Sequence, residues 1–386
     1  MQRDPDPRSY SPYHKVCLIQ VGDRHTELVG FFLSYFAGSD VDLVHRYASA
    51  YSYVDYFERS LTTRFRRVLP EYDRRERYDL VVLLTSNEAP MFRVTLRKRI
   101  KKLLGKIGLE APALGLWMAA KRRLNPSPGT PERGSDAPLP SAAMHPSRRS
   151  TLFRNSKETV AICHLKQYLT SECRNLAFSP LLQPLPWLLP VITGLPTQSA
   201  DCRKQTICCM GLLEERYYQI IPQIARAMPD TLFRLFVRQA HPTCMSLLSG
   251  LPNVVVSVGE GTDSMMEYLA SSRYLLILDH EESRYRKDRL SGAIPFGLNL
   301  AVPMVMSKEL AALYDIRAGV VSYESSPGAD LVRRLSSITP AAYGTLVADM
   351  LTERERLAHV GSKRFTEFLH PEQTMESEPS LARVRA

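Results

Sequence analysis

The sequence predicts an α/β protein made of two successive β/α/β sandwiches, each built on a parallel sheet that helices cover on both faces. Two observations lead to this fold class. Short runs that are mostly apolar, such as KVCLIQV at 15–21, alternate with longer stretches of helical periodicity, and strands without polar alternation are typical of parallel sheets. The alternation stops at the proline-rich segment 183–203 and restarts behind it, as expected of two domains in a chain of 386 residues.

The first half of the chain supplies the strands and helices of one sandwich. Residues 125–151 interrupt it, because they are rich in Pro, Ser, Gly and Arg and carry no apolar periodicity. This composition predicts a surface loop or a disordered insertion. The elements predicted in this half are strand 15–21, helix 24–38, strand 41–47, helix 53–69, strand 78–86, basic helix 94–108, and strands 159–165 and 175–182.

The second half repeats the pattern and gives the second sandwich. We expect an N-terminal domain over 14–195, a C-terminal domain over 204–352, a helix over 353–370 and a disordered tail over 371–386. The elements predicted in this half are strand 206–211, helix 213–228, strand 231–237, helix 242–249, strand 253–259, helix 263–272, strand 274–278, the apolar segment 289–306, strand 318–324 and a final helix over 340–369.

Composition narrows the class of protein and its partners. The net charge of +10 and pI near 9.2 favour anionic partners, but much of the positive charge lies in 93–126. Seven cysteines form no C-x-x-C pair, which indicates reduced thiols. The polar start lacks the apolar core of a signal peptide, and the apolar stretches 28–37 and 181–196 are too short or broken by proline to span a bilayer. We therefore expect a soluble, cytoplasmic protein.

Two motifs that suggest metal or dinucleotide binding do not fit their context. The D-x-D of SDVDLV at 39–44 stands at the entrance of a strand, whereas metal-binding carboxylates of this type should follow one. GEGTDS at 259–264 lacks the third glycine of a dinucleotide fingerprint. No metal site is predicted.

The order of elements resembles the GT-B fold of nucleotide-sugar-dependent glycosyltransferases, in which two Rossmann-like domains face each other across a cleft. The resemblance is best over 205–325, where ICCMGLLEERYYQIIPQIARAMPDTLFRLFV and the segment 251–307 look like parts of a donor domain. It implies transfer of a hexosyl or pentosyl group from a nucleotide-sugar, without a cofactor, to a glycan, a glycoprotein or another hydroxyl acceptor.

One departure from the family pattern leaves the reaction class open. Many retaining members place two glutamates eight residues apart near the donor helix. The positions eight residues after Glu281 and Glu282 are Arg289 and Leu290. Retention or inversion is therefore undecided, and a catalytically inactive binding protein of the same fold is an alternative.

The segment SRYRKDRLSG at 283–292 is the main candidate for binding the diphosphate of a donor. It follows an apolar strand, where open α/β sheets bind ligands, and its cations precede a predicted helix start that would offer backbone N–H groups. Ser291 is expected to cap that helix and Gly292 to allow close approach. The alternative is a solvated charge run before a core helix. The donor-side candidates are Gly22, Gly211, Arg238, Glu260, Lys287, Arg289, Ser291 and Gly292.

Three residues are candidates for deprotonating an acceptor hydroxyl. Asp23 and His25 lie in the turn after the first strand, and His164 lies at the end of the strand 159–165, where a carboxylate or imidazole can act as a general base. A helix cap at Asp23 and a core role for His164 are the structural alternatives.

The predicted basic helix suggests a third hypothesis, that the protein associates with nucleic acid. The helix 94–108 lacks interleaved aromatic residues, and peripheral contact with an anionic membrane explains the same charge. Nucleic-acid binding is therefore not expected.

Overall fold

The computed structural model describes eleven segments, all within the larger of two compact units of the chain, Met1–Ser86 with Asn155–Ala386. The predicted helix 94–108, the insertion 125–151 and residues 372–386 lie outside the described residues. The described segments are 12–20, 27–45, 54–61, 65–68, 77–84, 156–163, 173–210, 217–237, 242–279, 291–324 and 328–371.

The first domain is built on a six-stranded parallel sheet with the strand order β3-β2-β1-β4-β5-β6. Its central strand is buried from the second residue onward, because both faces are covered, which explains why the sequence shows no polar alternation there. The elements are β1 Lys15–Gln20, α1 Glu27–Tyr35, β2 Asp40–His45, α2 Val54–Ser60, β3 Phe65–Val68, β4 Tyr78–Leu83, β5 Ser156–Cys163 and β6 Arg174–Ala177.

The second domain repeats this arrangement in a second six-stranded parallel sheet, with the order β9-β8-β7-β10-β11-β12. Numbered within its own domain, each sheet runs 3-2-1-4-5-6, which is the Rossmann order. The predicted fold class of two Rossmann-like domains is confirmed. The elements are β7 Lys204–Met210, α3 Tyr217–Ala227, β8 Leu232–Val237, α4 Pro242–Leu248, β9 Val254–Val258, α5 Thr262–Ser271, β10 Ser272–Leu276, α6 Ala293–Asn299, β11 Met304–Ser307, α7 Lys308–Leu313, β12 Val320–Tyr323, α8 Ala329–Ser337 and α9 Pro340–Leu369.

The predicted helix over 53–69 is wrong in its second half. The helix α2 ends at Ser60, and Phe65–Val68 form the edge strand β3, parallel to β2. A buried carboxylate holds this strand: Asp42, which is fully buried, accepts from Arg66 Nε at 2.7 Å and Nη2 at 2.6 Å. Tyr78 Oη donates to the same carboxylate at 2.8 Å. The second aspartate of the D-x-D motif, Asp42, therefore lies inside β2 and not after a strand. This agrees with the interpretation of the motif as the entrance of a strand.

The long helix α9 joins the two domains. Near its start Tyr343 packs against Tyr274 of the second domain, with ring centroids 5.4 Å apart. Near its end Phe365 packs against aromatic rings of α1. A Cβ on Gly361 would lie 3.2 Å from the carbonyl oxygen of Leu189, so glycine allows the helix to approach the interdomain connection closely. The helix crosses residue 353 without a break.

The boundaries predicted for the domains otherwise stay a prediction. The segment between β6 and β7 contains the proline-rich connection, and much of it is apolar and buried, including Leu188 and Ile192. Arg59 of α2 also forms an ion pair with Asp263 of α5, which joins the domains at a second place. Cys17, Cys163, Cys208 and Cys209 are buried, and no disulfide occurs among the described cysteines.

Asp79 ties three strands of the first sheet together and gives stability a pH dependence. Its carboxylate accepts from the backbone N–H groups of His14 and Lys15, both at 3.0 Å, and pairs with Lys157 at 2.7 Å. The Lys157 ammonium and these N–H groups lower the pKa of Asp79 from 3.8 to about 2. Because the folded-state pKa is below the unfolded one, the stabilisation is present above pH 3.8 and is lost as the pH falls through about 2.

We expect Asp79→Asn to lower the free energy of unfolding at pH 7 by about 1 kcal/mol, since the pair is partly solvent-screened. Urea titrations of the unsubstituted protein and of Asp79→Asn at pH 7, 4 and 2.5 test this expectation. The difference between them should shrink as the pH falls, and a difference that stays constant across this range would contradict the assignment. Glu324→Gln, which removes an exposed carboxylate paired with Lys308, is the control and should change stability little.

Candidate functional site

The carboxyl ends of β10, β11 and β12 bring three polar side chains together at one edge of the second sheet. Asp279 follows β10, Ser307 ends β11 and Tyr323 ends β12. These strands are neighbours in the sheet, although the three residues span 44 positions of the sequence. Ligands of open α/β sheets bind at this edge, so the cluster marks a candidate site.

Asp279 is the centre of this cluster. Its side chain is buried, and Ser307 Oγ donates to the carboxylate at 2.9 Å. Tyr323 Oη lies 3.0 Å from Asp279 Oδ1 and 2.9 Å from the carbonyl oxygen of Ile277, and its one proton serves one of them at a time. The backbone N–H of Asp279 donates to Tyr323 Oη at 3.1 Å. Backbone and side chain of Asp279 are thus both fixed where the chain leaves β10.

The helix α6 is the first described helix after Asp279 in the sequence. The residue that caps its start differs from the prediction. The N-cap residue is Gly292, with φ −59° and ψ −20°, and no side chain caps the helix. The carbonyl oxygen of Ser291 accepts from the N–H of Ile294 at 3.1 Å. The expectation that Ser291 caps α6 is therefore wrong, because the chain is already helical at Gly292 and position 291 lies one residue too early.

The surroundings of Ser291 and Gly292 show which part of this segment packs. Ser291 is buried, and the helix behind it is buried along its whole length, including Ile294 and Leu298, so these apolar residues pack into the core. A Cβ on Gly292 would meet no atom of the described residues within 4 Å. As far as the described segments show, the chain at Gly292 thus has open space beside it.

Glu260 occupies a different place, at the carboxyl end of the edge strand β9. Its carboxylate accepts from Ser264 Oγ at 2.6 Å and lies 3.6 Å from Arg234 Nη2. The Arg234 guanidinium in turn stacks over the ring of Tyr268, 3.5 Å from its centroid. Glu260 therefore holds the start of α5 against β8, three strands away from the Asp279 cluster, and its predicted contact with a nucleoside stays a prediction.

The other candidates lie outside the described residues, but the strands before them are described. Strands β1, β5, β7 and β8 end at Gln20, Cys163, Met210 and Val237. Six of the eight candidates follow one of these strand ends within five residues of the sequence. Lys287 and Arg289 follow β10 at a greater distance along the chain. The candidates outside the described residues are Gly22, Asp23, His25, His164, Gly211, Arg238, Lys287 and Arg289.

The described residues contain neither a cluster of metal ligands nor a membrane-spanning helix. No three His, Cys, Asp or Glu side chains are placed there to share a metal ion. None of the helices described is both long and apolar enough to cross a membrane.

Comparison with known proteins establishes the fold. No protein-family model and no curated protein matches the sequence. Among solved structures, AviGT4, a glycosyltransferase involved in avilamycin A biosynthesis, is 12% identical, with a TM-score of 0.50 over 92% of this chain and 98% of its own. HepE from Anabaena in complex with UDP-glucose is 8% identical, with a TM-score of 0.46 over 92% and 99%. The UDP-GlcNAc 2-epimerase from Neisseria meningitidis bound to UDP-GlcNAc is 12% identical, with a TM-score of 0.41 over 93% and 100%.

The likeness to AviGT4 concerns the fold alone at this identity. It extends over nearly the whole of both chains, so it includes both sheets and not a single Rossmann-like domain. The predicted resemblance to the GT-B fold is confirmed at this level.

Proposed function

We propose that the protein is a glycosyltransferase that moves a sugar from a nucleotide-sugar to a hydroxyl acceptor. The observation that carries the proposal is the pair of Rossmann-ordered sheets, arranged as in AviGT4 over 92% of this chain. AviGT4 is itself a glycosyltransferase. Fold alone does not fix chemistry, so the proposal also depends on the candidate site.

The donor is proposed to bind at the carboxyl ends of β10–β12. Negative charge grows on the diphosphate as the glycosidic bond breaks, and Lys287 and Arg289 would stabilise it. Support comes from the buried Asp279, which fixes the point where this cationic segment leaves the sheet, and from the open space beside Gly292. With protein cations offsetting the phosphate charge, the proposed mechanism needs no metal and no cofactor.

The acceptor is proposed to bind on the side of the first domain. In the sequence Asp23 and His25 come after β1, and His164 comes after β5, and we propose that they lie near the carboxyl ends of these two strands. One of them would take the proton of the acceptor hydroxyl as it attacks. A glycan, a glycoprotein or another hydroxyl compound fits this role, with a hexosyl or pentosyl group transferred. We further propose a cytoplasmic protein whose basic segment 93–126 touches an anionic membrane.

A panel of nucleotide-sugars tests the proposal. A ligand that binds only the folded state raises Tm, with about 2.7 kcal/mol of stabilisation at a concentration 100 times its Kd. We expect at least one UDP-, GDP- or ADP-sugar at millimolar concentration to raise Tm, and Arg289→Ala to reduce that rise. Arg333→Ala is the matched control, because this exposed arginine pairs with Asp330 on α8, and it should leave the rise intact.

The same panel separates the alternatives. Absence of any shift would contradict the proposal. A shift without release of nucleotide, measured by chromatography with and without acceptors, would show a binding protein of this fold. Tight, salt-dependent binding of DNA or RNA that disappears when Arg97, Lys98, Arg99, Lys101 and Lys102 are neutralised would show a nucleic-acid-associated protein.

A further inference from the structure

A hollow of about 450 Å³ lies on the first domain, away from the proposed donor site. It is formed by the first residue of β6, the proline-rich connection and the last turns of α9. Arg174 opens β6, so the hollow lies toward the amino end of this strand, whereas the donor candidates follow the carboxyl ends of the second sheet. Its volume falls in the range of small-molecule sites.

The walls of the hollow are apolar and partly aromatic. Pro186 and Trp187 contribute one side, and Phe368 and Pro371 contribute another. These residues are exposed or half-buried, so the surface can be reached by a ligand. Flat rings and prolines of this kind favour a planar apolar body.

Two arginines line the hollow, and they differ in what they already bind. Arg174 forms an ion pair with Glu158 at 2.8 Å and donates to the carbonyl oxygen of Leu369 at 3.2 Å. Arg364 stacks over the ring of Trp187, 4.4 Å from its centroid. Within the described part of the chain, Arg364 makes no ion pair and no hydrogen bond. The charge of Arg174 is therefore offset, and that of Arg364 is not.

Stacking prepares the Arg364 guanidinium for an anion. The guanidinium lies over the indole ring, and its N–H donors lie in the plane of the guanidinium, where they match the two oxygens of a carboxylate. Glu367 also lines the hollow, and its Oε1 atom lies 3.8 Å from Lys363 Nζ. Its negative charge disfavours a second charge on a ligand, so a monoanion fits better than a phosphate monoester, which carries nearly two charges at pH 7.

We propose that this hollow binds a small aromatic carboxylate, with Arg364 pairing with the carboxylate and the rings of Trp187 and Phe368 contacting the apolar body. The site is separate from the proposed donor site and does not depend on the proposed function.

Calorimetric titration of the full chain tests the proposal with defined probes. The probes are 2-naphthoate, its neutral counterpart 2-naphthamide, phenyl phosphate and inorganic phosphate. We expect saturable binding of 2-naphthoate, binding of 2-naphthamide at least about tenfold weaker because the charge-assisted hydrogen bonds are lost, and weaker binding of both phosphates.

Three variants locate the binding. Arg364→Gln should weaken 2-naphthoate binding at least about tenfold, and Arg364→Lys, which keeps the charge but not the planar donor pair, should also weaken it. Arg333→Gln is the matched control, because this exposed arginine of α8 pairs with Asp330 and does not line the hollow, and it should keep the affinity within about twofold. Thermal unfolding of each variant confirms that it folds.

Several results would overturn the proposal. These are no binding of 2-naphthoate, equal binding of 2-naphthamide, tighter binding of phenyl phosphate, and full affinity in Arg364→Gln. A dimer that sedimentation detects and that Arg364→Gln abolishes would assign the hollow to a second copy of the chain and would likewise overturn it. The nucleotide-sugar shift is measured apart from this titration, so failure of either proposal is recognised without the other.

Discussion

Replacing Phe365 with alanine is expected to lower the free energy of unfolding by about 3–5 kcal/mol, as for other fully buried phenylalanines. The ring is completely buried and lies with its centroid 5.1 Å from that of Phe32, 4.9 Å from Tyr35 and 6.1 Å from Phe36. The substitution leaves a cavity between α9 and α1 and removes edge-to-face ring contacts. It therefore weakens the contact through which the C-terminal helix completes the first domain.

Urea unfolding followed by circular dichroism measures this loss. Glu355→Ala on the exposed face of α9 is the control and should change the free energy of unfolding by less than about 0.5 kcal/mol. Phe365→Leu should fall between the two, since it keeps most of the buried volume. A loss below about 1 kcal/mol for Phe365→Ala would mean that α9 does not contribute to the core of the first domain.

Replacing Arg66 with alanine is expected to cost about 2–3 kcal/mol, although nearly half of its side chain is exposed. Its partner Asp42 is fully buried and accepts two hydrogen bonds from it, so the substitution leaves a buried carboxylate that keeps the hydrogen bond from Tyr78 but loses its counterion. A buried charge that loses its counterion is costly, whereas removal of both charges often is not.

A double-mutant cycle separates these two effects. Asp42→Asn combined with Arg66→Met removes both charges, keeps an acceptor for Tyr78 and keeps the length of the side chain over β2. We expect the double variant to be more stable than Arg66→Met alone in the same urea titration, because the single variant leaves the charge of Asp42 buried without its counterion. Equal losses would show that the uncompensated charge of Asp42 is not what destabilises the variants.

The first and central strands of each domain could be predicted from the sequence because their stability comes from burial on both faces. KVCLIQV and TICCMG are mostly apolar and show no polar alternation, and each is flanked in the sheet by other strands. The strand β3 could not be predicted in this way. Its residues FRRV are half polar, they continue a helical periodicity from α2, and the partner that makes them a strand is Asp42, more than twenty residues earlier.

The sequence could predict that the candidate site lies at the ends of strands. It could not predict which side chains contact one another there. Asp279 was visible as a polar residue after an apolar run, while Ser307 and Tyr323 carried no signal of their own. They meet because β10, β11 and β12 are adjacent, and adjacency is a property of the sheet order. The error at Ser291 is of a smaller kind, since one residue of helical backbone at Gly292 decides which residue is the cap.

The course of α9 also constrains how the protein is made. The core of the first domain contains Phe365 and Leu369 beside residues of β1 and α1, so residues near the amino end of the chain are covered by residues near its carboxyl end. During synthesis the first domain emerges long before the helix that closes it. Until α9 is released from the ribosome, the aromatic face of α1 lacks its cover, and this face is where a nascent-chain chaperone would have to act.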